Sequence, residues 1–178
     1  MPGLEDEGFS KSVVYMCEHT ERGALGLVIN KSSDINLKKL FDKVELPLDR
    51  SDLSDALVFQ GGPVQTERGF VLHESMMPGL EAVYASTMSI PGGLEMTTSK
   101  DVLEALSSGN GPKKVFVSLG YSAWGEGQLE SEISDNSWLT VAADIAVIFD
   151  TPVEERYARA MGLLGLESWM LSPDAGHA

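Results

Sequence analysis

Cys17 and His19 stand two residues apart in the run SVVYMCEH, which reads as a β-strand over Ser12–Glu18. Alternation along such a strand sends both side chains, with Val13 and Tyr15, to one sheet face. A thiol beside an imidazole can supply a nucleophile or a redox-responsive centre. Glu18, the adjacent acid, points to the other face, so no third member of a relay is indicated locally. A single cysteine in an apolar strand is more often a packing residue. His73 closes another strand-like run and would join Cys17 and His19 as a metal ligand only if the fold brought those strands together. Structural zinc sites present paired ligands at two places in the chain, so neither a metal nor any other cofactor is expected. The third histidine, His177, lies near the end of the chain.

Ser122 follows a hydrophobic run, as a hydrolase nucleophile does. The sequence Gly120-Tyr121-Ser122-Ala123-Trp124 nevertheless puts an indole where the G-x-S-x-G elbow needs glycine, and only His177 follows as a base. Gly120, Gly125 and Gly127 could turn amides toward an anion, but Glu126 and Glu130 would repel phosphate there, and neither glycine-rich phosphate motif is present. The large residues Tyr121, Trp124 and Trp138 are core anchors or, alternatively, binding hot spots. The binding alternative makes Gly120, Tyr121, Trp124, Gly125, Gln128 and Glu130 a surface for a protein, peptide or small-molecule partner. Arg68, an isolated cation, could hold Glu67 or an acid of the Gly120 block in fork geometry.

The elements that must position these groups alternate irregularly. Leu25–Asn30 should pair with the first strand as a hairpin. A short amphipathic helix is predicted over Ile35–Lys43 with Asp34 as cap. Strands are predicted at Leu57–Gln60, Gly69–His73, Ala82–Ser89, Lys114–Leu119, Trp138–Val141 and Asp144–Phe149. Ser99 and Gly109 bracket a second helix, residues 120–127 turn the chain into a third over Gln128–Ile133, and Thr151, Pro152 and Glu154 compose a capping box for a last one. Strands outnumber helices without a regular βαβ order, so the class is α+β.

Across the 178 residues, 27 acids face 13 bases, a formal net charge of -14. Such a field opposes approach to nucleic acid and to anionic membranes. Lys38, Lys39 and Lys43 are the dense basic group, too few to track a phosphate backbone. Between Lys114 and Arg156 there is no base at all, while eight acids fall there. The reading is a solvated acidic face, with a cationic partner as the sharper alternative. No stretch approaches the ~20 apolar residues of a membrane span, the N-terminus lacks a signal core, and the lone cysteine excludes an internal disulfide. A cytoplasmic location is expected.

The segments MPGLEDEGFSKSVVYMCEH, GALGLVINK, VFQGGPVQTERGFVLH and FVSLGYSAWGEGQLESEISDNSWLT together resemble the YqgE/AlgH family of small bacterial proteins. The resemblance implies one domain over residues 1–178, with 167–178 as a flexible tail. It implies a bent, bifurcated, mostly antiparallel sheet curled into a pseudo-barrel with flanking helices. It also implies a segment ahead of Met1, so that a sheet edge is expected to be exposed. Ala123 departs from the glycine usual there. The family is described in terms of transcriptional regulation without a settled activity. The expected function is therefore that of a non-enzymatic regulatory or interaction protein acting indirectly, with a thiol-dependent enzyme or redox sensor built on Cys17 and His19 as the alternative.

Overall fold

The computed structural model describes residues 11–75 and 83–165. Strands β1 (Val14–Thr20) and β2 (Gly23–Val28) form the expected antiparallel hairpin, with Thr20 opposite Gly23. Then come β3 (Ser32–Asn36), α1 (Leu37–Lys43), a 3-10 turn, β4 (Leu57–Gln60) and the long β5 (Val64–Glu74). The chain continues through β6 (Thr87–Ile90), β7 (Leu94–Thr97), α2 (Lys100–Ser107) and the long β8 (Val115–Trp124). It closes with α3 (Gln128–Ser134), α4 (Ile145–Phe149) and α5 (Arg156–Leu163).

The sheet runs β1-β2-β8-β5-β7-β6 and forks along β8. One edge of β8 carries β5, and its other edge is shared: β4 runs parallel to Val117–Leu119, while β2 runs antiparallel to Ser122–Trp124. The result is the α+β, mostly antiparallel, nearly closed barrel with helices packed around it. Alternation along the central strands feeds two cores. Phe70, Leu72 and Phe116 join Tyr15, Cys17, Leu27, Val147 and Ile148 on one face. Val71 and Val117 join Leu37, Phe41, Val102 and Leu106, beneath α1 and α2, on the other. A smaller cluster of Ala24, Trp124, Leu129 and Trp138 seats α3 on the hairpin.

Several elements differ from the sequence reading. Asp34 and Ile35 belong to β3, because residues 32–36 pair with β4. The helix cap is Asn36, whose side chain accepts a hydrogen bond from Lys39 N at 2.9 Å. Asp144–Phe149 is helical rather than extended: a short apolar run carries no decisive period, and the Asp144 carboxylate caps it by accepting from Ala146 N at 3.0 Å. Trp138–Val141 is irregular. The last capping box is not formed, since Thr151 Oγ1 donates to Ala146 O at 2.9 Å and α5 starts at Arg156, after a 3-10 turn. Strand β7, buried at all four positions, lacks the alternation that would announce it. Residue 82, where a strand was expected to begin, and the tail with His177 lie outside the described residues.

Candidate functional site

A β-bulge parts the cysteine from the histidine. Met16 pairs with Gly26 and Glu18 with Leu25, leaving Cys17 as the extra residue. One inserted residue reverses which face every later side chain meets. Cys17 follows Tyr15 into the main core, 3% exposed. His19 opposes Ala24 and turns instead to α3, where its Nε2 meets Glu130 Oε1 at 2.5 Å on the protein surface. The hydrogen bond from His19 is the leading cause that lowers the Glu130 carboxyl below its ordinary value. Cys17 Sγ donates to Tyr15 O at 3.6 Å, and burial pushes the thiol up to about 12. A thiol so held is protonated at neutral pH and is a poor nucleophile.

His73 sits beside the second core, fully buried, with its ring edge-on to Tyr84. Its Nδ1 bonds Glu74 O at 2.9 Å and its Nε2 bonds Thr97 Oγ1 at 2.8 Å. Glu95 Oε2, buried without a hydrogen-bond partner, stands 4.0 Å from Nδ1. Since Cys17 packs into the other core, the sheet does not gather Cys17, His19 and His73. Among the described residues no three His, Cys, Asp or Glu side chains are grouped to hold a metal ion. Ser122 is 1% exposed and donates to Gly61 O at 3.1 Å, an interior hydroxyl rather than an elbow nucleophile.

The residues expected to form an aromatic turn are strand residues, because β8 continues to Trp124. Gly120 takes φ +76°, and a Cβ there would lie 2.5 Å from Gly62 O, so a close strand crossing explains the glycine. Tyr121 is half-buried and edge-on to Phe70, with ring centroids 5.3 Å apart. Arg68 lies over the same Phe70 ring and donates to Gln65 Oε1 at 3.2 Å and Thr98 Oγ1 at 3.3 Å, not to a carboxylate. Trp124 faces inward. It meets Trp138 edge to face at 5.7 Å, and both indoles donate to one oxygen, Glu132 Oε2, at 2.7 and 2.9 Å. Gln128 completes this clamp, donating to Glu132 Oε1 at 3.4 Å and accepting from Gly125 N at 3.0 Å. Gly125, Gln128 and Glu130 remain exposed. Glu132 was missed in the sequence. Its spacing from Gln128 places both on one helix face, but nothing local says that two distant indoles arrive there.

A chamber of about 570 Å³ opens as a seam where the barrel fails to close. Its walls are Val13 with β1 residues Val14 to His19, and β6 residues Met88 to Ile90 with Pro91, capped by residues 141–144 and by Val147 and Ile148 of α4. Among the described residues β1 pairs only with β2, and β6 only with β7. Among the described residues each therefore keeps one sheet edge unpaired, and both strands line the cavity.

A forked sheet closed into an imperfect barrel, with its thiol sealed and an apolar seam left open, defines a small α+β protein. The AlgH-like family model matches residues 1–169, and the chain belongs to that family. It is 86% identical to a UPF0301 protein of Polaromonas sp., over 100% of this chain and 91% of that one. It is 75% identical to a UPF0301 protein of Variovorax paradoxus, over 100% and 92%. The solution structure of AlgH from Pseudomonas aeruginosa superposes with a TM-score of 0.77 at 47% identity, covering 100% of this chain and 92% of that one. A crystal structure of a Corynebacterium diphtheriae protein shares the fold at a TM-score of 0.68 and 20% identity, covering 90% and 81%.

Proposed function

We propose that this chain is a non-enzymatic interaction protein of the cytoplasm. It receives an extended apolar segment of a partner protein in the seam between β1 and β6 and exerts any control of transcription through that partner. The observation that carries the reading is the pair of strands, each with one edge unpaired among the described residues, that line one chamber. An incoming strand gains backbone hydrogen bonds from such an edge and side-chain specificity from the pockets beside it. Val13, Tyr15, Ile29, Met88 and Ile90 offer it apolar contact, while Glu18 and Asp144 also line the chamber. With a net charge of -14 behind them, these acids favour a segment flanked by Lys or Arg. The side chains that could do covalent chemistry are otherwise engaged, which supports binding over catalysis: Cys17 is protonated in the core, Ser122 is tied to Gly61 and His19 to Glu130.

The test is an NMR titration of the labelled protein with a short Val/Ile-rich peptide carrying lysine flanks, beside its glutamate-flanked twin. Saturable amide shifts along β1 and β6, stronger with lysine and lost in Met88→Lys, are expected. Shifts confined to other strands, or no preference between the twins, would refute the assignment.

A further inference from the structure

Arg156 is a buried cation with no ion-paired carboxylate among the described residues. It is 7% exposed. Its Nε donates to Thr151 O at 3.0 Å and its Nη1 to Ile29 O at 2.5 Å. The guanidinium lies 4.8 Å from the Phe59 ring and 5.9 Å from Phe116, two rings stacked on each other at 4.4 Å. Nη2 makes no hydrogen bond among the described residues. Arg50 shows what the same group does elsewhere in this fold: Nε and Nη2 fork onto Asp52 at 3.0 and 2.8 Å. Burial pushes the Arg156 pKa down, yet a guanidinium stays charged throughout the working pH range. A buried charge needs compensation, and carbonyls with aromatic faces supply only part of it.

Arg156 also lines a cavity of about 350 Å³ between β4, the start of β8, α4 and the turn before α5. Lys113, Lys114 and Arg156 line it, and among the described residues no acidic one does, in a chain whose acids outnumber bases 27 to 13. Lys114 and Arg156 are the two cations that bound the base-free stretch of the sequence, and the fold brings them to one chamber. Leu53, Leu57, Phe149 and Val153 make the rest of the wall apolar. Three acids act nearby: Asp150 holds Lys114 at 2.7 Å, Glu74 acts on Lys114 at longer range, and Glu154 acts on Arg156 at longer range than an ion pair. Lys113 has no such partner among the described residues.

We propose that this cavity binds a small organic oxyanion, a carboxylate or phosphate carried on an apolar body, with the Nη2 edge of Arg156 and the ammonium of Lys113 as its receptors. The planar guanidinium presents parallel N–H groups that match either head group, and the volume lies within the range of small-molecule sites, roughly 300–1,000 Å³. The site is separate from the proposed peptide seam, although Ile148 lines both.

The experiment titrates ¹⁵N-labelled protein with benzoate, phenyl phosphate, inorganic phosphate and, as the uncharged control, benzyl alcohol. Benzoate and phenyl phosphate should give saturable shifts at Phe59, Phe116 and the Arg156 side chain, about tenfold stronger than benzyl alcohol, a difference of one decade in Kd. The tighter of the two names the head group. Lys113→Glu, an exposed substitution, should weaken both anions about threefold or more while leaving the alcohol and the Tm unchanged, and Arg156→Lys should abolish saturable binding. Benzyl alcohol binding as well as benzoate, inorganic phosphate as well as phenyl phosphate, or Lys113→Glu as well as wild type would overturn the proposal. Should Arg156→Lys fail to fold, the Lys113→Glu comparison decides alone.

Discussion

Replacing Glu132 by Ala tests whether α3 is held by a shared acceptor or by packing alone. Glu132 Oε2 takes both indole N–H groups, at 2.7 Å from Trp124 and 2.9 Å from Trp138, and Oε1 takes a longer bond from Gln128. A hydrogen bond to a charged group contributes about 1.5–3 kcal/mol net, and a buried donor left without an acceptor costs about 1–3 kcal/mol. Trp124 is 7% and Trp138 9% exposed, so water replaces the lost acceptor only in part, while half-buried Glu132 itself is not fully desolvated. The expected loss is about 2–4 kcal/mol, or a Tm lower by about 6–12 °C for a chain of this size. Glu132→Gln keeps a carbonyl oxygen for the indoles and should lose about 1–2 kcal/mol. Urea unfolding followed by fluorescence in a Trp169→Phe background reads these two indoles directly. A loss below about 0.5 kcal/mol for Glu132→Ala would place it among ordinary surface substitutions. An undiminished loss once Trp124 and Trp138 are both phenylalanine, followed by far-UV circular dichroism because no tryptophan then remains, would also refute the clamp, since a double-mutant cycle then shows no coupling.

Three further outcomes are expected. Cys17 should react with iodoacetamide far more slowly in the native protein than in a denatured control at the same pH. Because burial raises its folded-state pKa from 9.0 to about 12, its contribution to stability is complete below about pH 9 and disappears as the pH climbs toward 12; Cys17→Ala should flatten that alkaline limb in pH-dependent melts. Gly62→Ala should cost at least about 2 kcal/mol in urea unfolding, since its Cβ would stand 2.3 Å from the Tyr121 carbonyl at φ +154°. His19→Ala should raise the Glu130 carboxyl toward its ordinary titration range, as read by NMR. The native value is lowered by His19, so the pair's contribution is present at neutral pH and fades as pH falls through that carboxyl's folded-state value.

Much of the fold was legible because local rules happened to agree with tertiary context. The hairpin of β1 and β2 announces itself through two apolar runs and a polar turn. Ser99 and Gly109 bracket α2, and Gln128 opens α3. Where a rule competed with a distant partner, the partner won. Pairing with β4 turned Asp34 and Ile35 into strand, and continued pairing with β2 carried β8 past Gly120 to Trp124. The candidate site was legible as a set of residue types and not as a place. Trp124 was singled out, but its indole faces inward to a carboxylate supplied from the next helix.

Composition and order of residues alone determined the α+β class, the family, the acidic field and the lack of a disulfide partner for Cys17, because these follow from counts, periods and short-range spacing. Only the tertiary structure decided which faces those residues meet. A single extra residue at Cys17 separates the thiol from His19, the fork along β8 leaves two seam-lining strands each with one edge unpaired among the described residues, and chain ends of a long base-free stretch come together around Arg156. Each of these depends on contacts between segments far apart in the chain, whose register no local pattern encodes.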